Sequence, residues 1–222
     1  MLSKILNKLS LIRQSYFKKI NNNFYSQFGE DRILNEIIPK KKIGIYVDVG
    51  CFHHKKHSNT YLLHKRGWSG VNIDMESDKV KLFNICRPND FNVVAAISND
   101  VRNVKVYRNQ KYGVSSTIVD GFINSDDIID QNVIKTKTLD SVLELSPFKN
   151  KKIDLLNIDA EGNDFKVLIS LNFKIYQPEI IIIETHLNNI EEILKSEIYS
   201  FLFNKKYSLI SWNLYSLIFK KN

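Results

Sequence analysis

Short apolar runs alternate with stretches of helical spacing along most of this chain, and several of the runs end on an acid. Strands are predicted over 43–49, 68–74, 91–97, 153–158 and 178–184. The last is a nearly continuous β-branched run, Ile180-Ile181-Ile182-Ile183, the mark of a strand covered on both faces. Between the strands, helices are predicted from Ser26-Gln27-Phe28-Gly29-Glu30-Asp31 to Pro39, from the N-cap Ser58 to Arg66, and over 76–86, 164–171 and 190–204. A further short helix starts at Thr138. Two strands, 207–212 and 215–219, close the chain as a hairpin. Repeated β-α steps followed by a hairpin predict an α/β fold: a doubly wound, mostly parallel sheet with an antiparallel ending. The stretch 99–135 is less regular. Val104 to Tyr107 reads as a strand, while 112–117 and the pair Asp126-Asp127 read as a long loop that would carry substrate contacts.

The first 24 residues differ from the rest. Leu2, Ile5, Leu6, Leu9, Ile12, Tyr16 and Ile20 recur at helical spacing, with Lys4, Lys8, Arg13, Lys18 and Lys19 mostly elsewhere. A basic amphipathic helix is expected, lying on the core or on a second subunit, with peripheral contact to an anionic lipid surface as the sharper alternative. Residues 25–222 are expected to form one domain. No apolar run is long enough to span a bilayer and no signal peptide is evident. Two cysteines, Cys51 and Cys86, are too few for a disulfide framework and suit a reducing cytoplasm. The net charge of +8 comes mostly from scattered lysines in a Lys-, Asn- and Ile-rich chain, so nucleic acid is not expected as a main partner.

Candidate chemistry gathers at strand ends. Asp48 lies in Tyr46-Val47-Asp48-Val49-Gly50, and Asp74 ends Asn72-Ile73-Asp74, with one helix between them. A glycine at the first turn and a carboxylate at the tip of the second strand suit a nucleoside, whose ribose hydroxyls the carboxylate takes. A dinucleotide wants G-x-G-x-x-G, and the loop here holds the single Gly50; no phosphate-binding G-x-x-x-x-G-K-[ST] occurs either. Asp159, Glu161, Glu184 and His186 fall at the ends of two central strands, the edge where open α/β sheets bind ligands. Asp159 is the first candidate for a catalytic or orienting carboxylate, with a helix N-cap as its alternative, and His186 for a general base. Asp159, Glu161 and Glu184 are also the hard-oxygen set that Mg²⁺ would take, although a metal-free site is expected. Cys51 reads as a small buried thiol, and His53, His54 and His57 as a solvated loop, with a proton-shuttle or metal cluster as the alternative.

The ordered set Ser26-Gln27-Phe28-Gly29-Glu30-Asp31, Tyr46-Val47-Asp48-Val49-Gly50, Ser58-Asn59-Thr60, Gly67-Trp68, Asn72-Ile73-Asp74, Thr138-Leu139-Asp140 and Ile153-Asp154-Leu155-Leu156-Asn157-Ile158-Asp159-Ala160-Glu161-Gly162 resembles the FkbM-type methyltransferases over about residues 25 to 220. Many members carry G-x-N-x-G in the first loop; this chain has Gly50-Cys51-Phe52-His53-His54-Lys55-Lys56-His57 instead. The resemblance implies a class I methyltransferase fold with a seven-stranded sheet, and O-methylation from S-adenosylmethionine. The acceptor it implies is a sugar hydroxyl of a surface glycan or a natural-product hydroxyl. By the same resemblance, Asp48 and Gly50, with Cys51 and Asn59 beside them, shape the methionine end. Asp74 takes the ribose, and Asn89-Asp90 with Ala95-Ala96 neighbour the adenine. Asp159 and Glu161 face the methyl group and acceptor. A nucleic-acid methyltransferase is the alternative, but Asp159-Ala160-Glu161-Gly162 stands where amino-directed enzymes carry [DN]-P-P-[YF]. A binding protein that keeps the fold without turnover is the other alternative.

Overall fold

The structure is a computed structural model that describes residues 24–40, 42–109, 116–124 and 127–222. The amphipathic stretch expected over 1–22, the segment 112–115 and Asp126 lie outside the described residues. Strands β1 (Ile45–Val49), β2 (Ser69–Asp74), β3 (Phe91–Val94), β7 (Leu155–Ile158) and β8 (Ile180–Glu184) run parallel. The hairpin β9 (Tyr207–Asn213) and β10 (Ser216–Lys221) adds to β8 antiparallel, giving the order β3-β2-β1-β7-β8-β10-β9. The seven-stranded, mostly parallel sheet with its antiparallel ending is the architecture the alternation predicts. Among the described residues, no helix is long and apolar enough to cross a membrane.

Each strand splits its side chains between two helical layers. Val47, Val49, Val71, Ile73, Leu156, Ile158, Ile181 and Ile183 face the larger cluster. That cluster is closed by α4 (Leu139–Glu144), α5 (Asp164–Ile169) and α7 (Glu197–Asn204) through Val142, Val167 and Leu202. Tyr46, Leu155, Ile180, Ile182 and Ile218 face the smaller one with Leu34 of α1 (Glu30–Ile37) and Leu63 of α2 (Tyr61–Lys65). Helix α3 (Ser77–Cys86) packs on β2 and β3. Helix α6 (Ile190–Lys195) precedes α7, and Ser196 between them is extended, with its Oγ accepting the Tyr199 N–H. The single helix expected over 190–204 is therefore two, because a serine cap restarts the turn.

The irregular stretch is more ordered than expected. Strands β4 (Asn103–Asn109), β5 (Ser116–Thr117) and β6 (Ile128–Lys135) make a separate antiparallel sheet in the order β5-β4-β6. β6 escapes sequence reading because Asn132, Val133 and Lys135 are all exposed, so no buried alternation marks it.

One row of the main sheet is polar. Asn92, Asn72, Asp48 and Asn157 are cross-strand neighbours on β3, β2, β1 and β7, and the row continues as Ile182 and Ile218. Arg87, fully buried just past α3, covers this row. Its guanidinium donates to the Thr60 hydroxyl (2.9 Å), the Tyr46 hydroxyl (3.1 Å), the Ser58 hydroxyl (3.1 Å) and the His54 carbonyl. Thr60 Oγ1 in turn donates to Asp48 (2.7 Å), and Asn157 Nδ2 donates to the other Asp48 oxygen (2.8 Å). A buried charge is tolerated when its donors are satisfied and a countercharge is near; every N–H group of this guanidinium meets an acceptor, and Asp48, reached through Thr60, is the countercharge. Arg87→Met should lower unfolding free energy by about 3–5 kcal/mol, because it leaves Asp48 without its countercharge and several acceptors without donors. Urea unfolding followed by circular dichroism checks this, and a loss under about 1 kcal/mol would contradict it.

Candidate functional site

The C-terminal ends of β1, β2, β3, β7 and β8 open onto one cavity of about 310 Å³. That volume is at the small end of ligand pockets, roughly 300–1,000 Å³. At its centre the chain leaves β1 through Gly50, whose φ is +76°. A Cβ there would lie 1.7 Å from the Asp159 carbonyl oxygen, so only glycine lets the ends of β1 and β7 approach this closely. The Gly50 and Cys51 N–H groups both point back to the Ile73 carbonyl, which ties the loop to β2 as well.

One half of the cavity is built around Asp74. Its Oδ1 accepts the Glu76 N–H (2.8 Å), its Oδ2 accepts the Phe52 N–H (3.2 Å), and Lys79 Nζ lies 3.4 Å away. Burial raises the Asp74 carboxyl, while Lys79 and the two N–H groups pull it back down. Ala95, Ala96 and Ile97 supply an apolar wall beside it. Asn59 lines the same space, with its Nδ2 donating to Asn157 (2.9 Å). Asp48 lines it too, although both of its oxygens are engaged by Thr60 and Asn157, so it braces the floor. Cys51 is buried there, and burial pushes its thiol well up, leaving it unreactive.

Asp90 lies elsewhere. It precedes β3, which runs parallel to β2, so it sits at the edge where the strands begin, opposite the cavity. There its carboxylate accepts the Gly70 N–H (3.1 Å), the Asn72 side-chain amide (3.0 Å) and the Tyr46 hydroxyl. The adenine neighbourhood expected for Asn89-Asp90 is thus corrected: Asp90 is a brace between strands, and Ala95-Ala96 are at the cavity. In the histidine loop, His57 lines the cavity, while His53 and His54 stack on each other at 4.4 Å. Among the described residues, no group of three or more His, Cys, Asp or Glu is arranged to hold a metal ion.

The other half is acidic. Asp159 follows β7, Glu161 and Gly162 turn with φ of 49° and 90°, and Asp164 holds that turn by accepting the Ala160 (2.7 Å) and Gly162 (3.0 Å) N–H groups. Asp159 is hydrogen-bonded to Glu184 at the end of β8. His186 Nε2 lies 3.5 Å from Glu184 Oε2, an oxygen that is buried and without a hydrogen bond. Burial raises the whole set; neighbouring carboxylates add to it at Asp159, Glu161 and Glu184, while backbone N–H groups and His186 pull Asp164 back down. Asp159 goes well above the usual range, Glu184 to about 8, Asp164 to about 6, and Glu161 upward. Burial and the neighbouring carboxylates thus favour the protonated form of Asp159, which shares a hydrogen bond with Glu184. The structure brings the sequence candidates Asp159, Glu161 and His186 to one wall of the cavity that also holds Gly50 and Asp74. Glu184 has a larger part than the metal-ligand alternative gave it; its place as the last residue of the apolar β8 run was the available signal.

A carboxyl raised by folding stabilises fully below its ordinary value of 4.5 and loses that contribution as pH rises through about 8. Glu184→Gln removes the ionisation. At pH 8 the variant should gain a few kcal/mol, a Tm increase of roughly 6–12 °C, with most of the difference gone by pH 5. Thermal melts at the two pH values check this; equal shifts at both would contradict it.

A family model described as the Methyltransferase FkbM domain matches residues 48–209. No curated protein matches the chain significantly. The crystal structure of a TehB-like SAM-dependent methyltransferase from Corynebacterium glutamicum is similar at a TM-score of 0.44 and 13% identity, over 99% of this chain and 100% of that one. The family match runs from Asp48 through the acidic turn and into β9, most of the described chain, and the protein belongs to the FkbM methyltransferase family.

Proposed function

We propose that the protein methylates a hydroxyl, on a sugar of a surface glycan or related glycoconjugate, with S-adenosylmethionine as donor. The family implies the donor. The observation that carries the finer reading is the wall of Asp159, Glu161, Glu184 and His186, which stands beside Gly50 and across the cavity from Asp74. A hydroxyl needs a proton acceptor, and this wall supplies one.

The cavity residues fit the donor. Asp74 presents a carboxylate held by two backbone N–H groups, the pattern for two ribose hydroxyls, and Ala95, Ala96 and Ile97 offer an apolar face for a base. When bound, the donor supplies an electrophilic methyl group on a sulfonium. Gly50 would let the methionine end lie close to backbone, with Asn59 and Cys51 alongside.

The remaining work belongs to the acidic wall. His186 would take the acceptor hydroxyl proton. The imidazolium that results lies against Glu184 at 3.5 Å, so an ionised Glu184 favours it. Asp159 would orient Glu184 through their shared hydrogen bond. Glu161, on its left-handed turn, lines the same space and would hold the acceptor. A cytoplasmic location at a membrane face, with the basic segment 1–24 on anionic lipid, belongs to the same proposal.

Two outcomes are expected. Asp74→Ala should weaken S-adenosylhomocysteine binding by about 1–3 kcal/mol in calorimetry; unchanged affinity would remove the ribose assignment. With donor saturating, methyl transfer to an accepted glycoside should rise with pH toward about 8 and then level, as Glu184 ionises. Glu184→Gln should flatten that limb. A limb that survives in the variant would assign it to another group.

A further inference from the structure

We propose that Phe28, Tyr215 and His186 form the acceptor subsite, a wall of ring faces that takes an uncharged sugar ring and disfavours an anionic one. This rests on the methyl-transfer reading above and adds where the acceptor lies and what charge it carries.

The three rings line the cavity in sequence. Phe28 and Tyr215 have centroids 5.5 Å apart at 59°, and Tyr215 and His186 are 5.7 Å apart at 50°. Phe122 backs His186 at 5.3 Å, in the space that Gly162 leaves by lacking a Cβ. The Tyr215 ring is held in place although the residue is 47% exposed. Two long-range hydrogen bonds pin the Phe28 turn to the terminal hairpin: Asn213 Nδ2 to the Phe28 carbonyl (2.8 Å) and Ser216 Oγ to Glu30 (2.9 Å). Glu30 also accepts the Phe28 N–H (3.0 Å). Three hydrogen bonds thus hold in register two rings that come from distant parts of the chain.

Successive tilts of 59° and 50° make an arc of inclined rings, not a parallel slot. An arc suits a puckered ring, whose C–H groups meet the negative ring faces, while a flat aromatic acceptor would prefer two parallel walls. Hydroxyl partners stand next to the arc: Gln27 and Glu161 line the same cavity, and Glu184 lies behind His186. Charge selection follows from what is near. The only Lys or Arg among the described cavity residues is Lys79, and it is engaged by Asp74 at 3.4 Å and lies over the Phe52 ring. The arc itself faces the carboxyl groups of Glu30, Glu161 and Glu184, so a uronate or phosphosugar would be desolvated there with no lysine or arginine of the arc to pair its charge.

The test is saturation-transfer NMR on the full chain loaded with S-adenosylhomocysteine, against neutral methyl hexosides, methyl 6-deoxyhexosides, methyl glucuronide and catechol. Neutral glycosides should bind, glucuronide should bind about fivefold more weakly, and catechol should not compete. Tyr215→Ala and Phe28→Ala should each lose about fivefold in glycoside affinity, Tyr215→Phe should retain it, and all three should keep S-adenosylhomocysteine affinity within about twofold. Glycosides that fail to bind the loaded protein, glucuronide that binds as well, catechol that wins, or Ala variants that bind normally would each overturn the subsite. Failure of the wild-type chain to bind S-adenosylhomocysteine would instead overturn the donor reading beneath it.

Discussion

The buried Arg87 guanidinium is the interaction on which the rest of the site depends. Desolvating it demands partners, and it finds them in Ser58, Thr60, Tyr46 and the His54 carbonyl. Those bonds fasten the loop after β1 onto the sheet. Thr60 then hands the fixation to Asp48, and Asp48 to Asn157 on the next strand. One charge therefore sets the spacing of β1, β7 and the loop that rims the cavity. It also explains why a sheet with an apolar core spends one row on Asn92, Asn72, Asp48 and Asn157.

The cavity has two electrostatic characters because its two halves are built differently. Around Asp74, N–H groups and Lys79 lean on a carboxylate and favour its charge. Around Glu184, carboxyl faces carboxyl and burial wins, so protons are retained to high pH. Groups with opposing environments a short way apart are how one pocket both binds a ligand and moves a proton. The left-handed turn at Glu161 and Gly162 serves the second half; Asp164 spends its lone pairs holding that turn and is unavailable for other chemistry.

Much of this was legible in the sequence. Parallel strands ending in Asp74, Asp159 and Glu184 stand out because an acid after an apolar run breaks a pattern that core packing imposes. Gly50 is legible for the same reason. Asp90 misleads because a residue before a parallel strand lies at the opposite edge from one after it, and proximity in sequence hides that inversion. β6 is illegible because Asn132, Val133 and Lys135 are exposed and give no buried alternation. Arg87 follows the predicted helix 76–86 with no local signal of a role, and only the fold shows it covering a polar row. Phe28 and Tyr215 are separated by nearly the whole chain, and no local spacing connects them.

The most direct test of the account is calorimetric titration of the purified protein with S-adenosylhomocysteine, with NAD as control. Micromolar binding of the first and none of the second is the result expected for a nucleoside held by Asp74 beside a single-glycine loop. Binding of NAD, or of neither compound, would contradict the assignment of this cavity to a sulfonium donor.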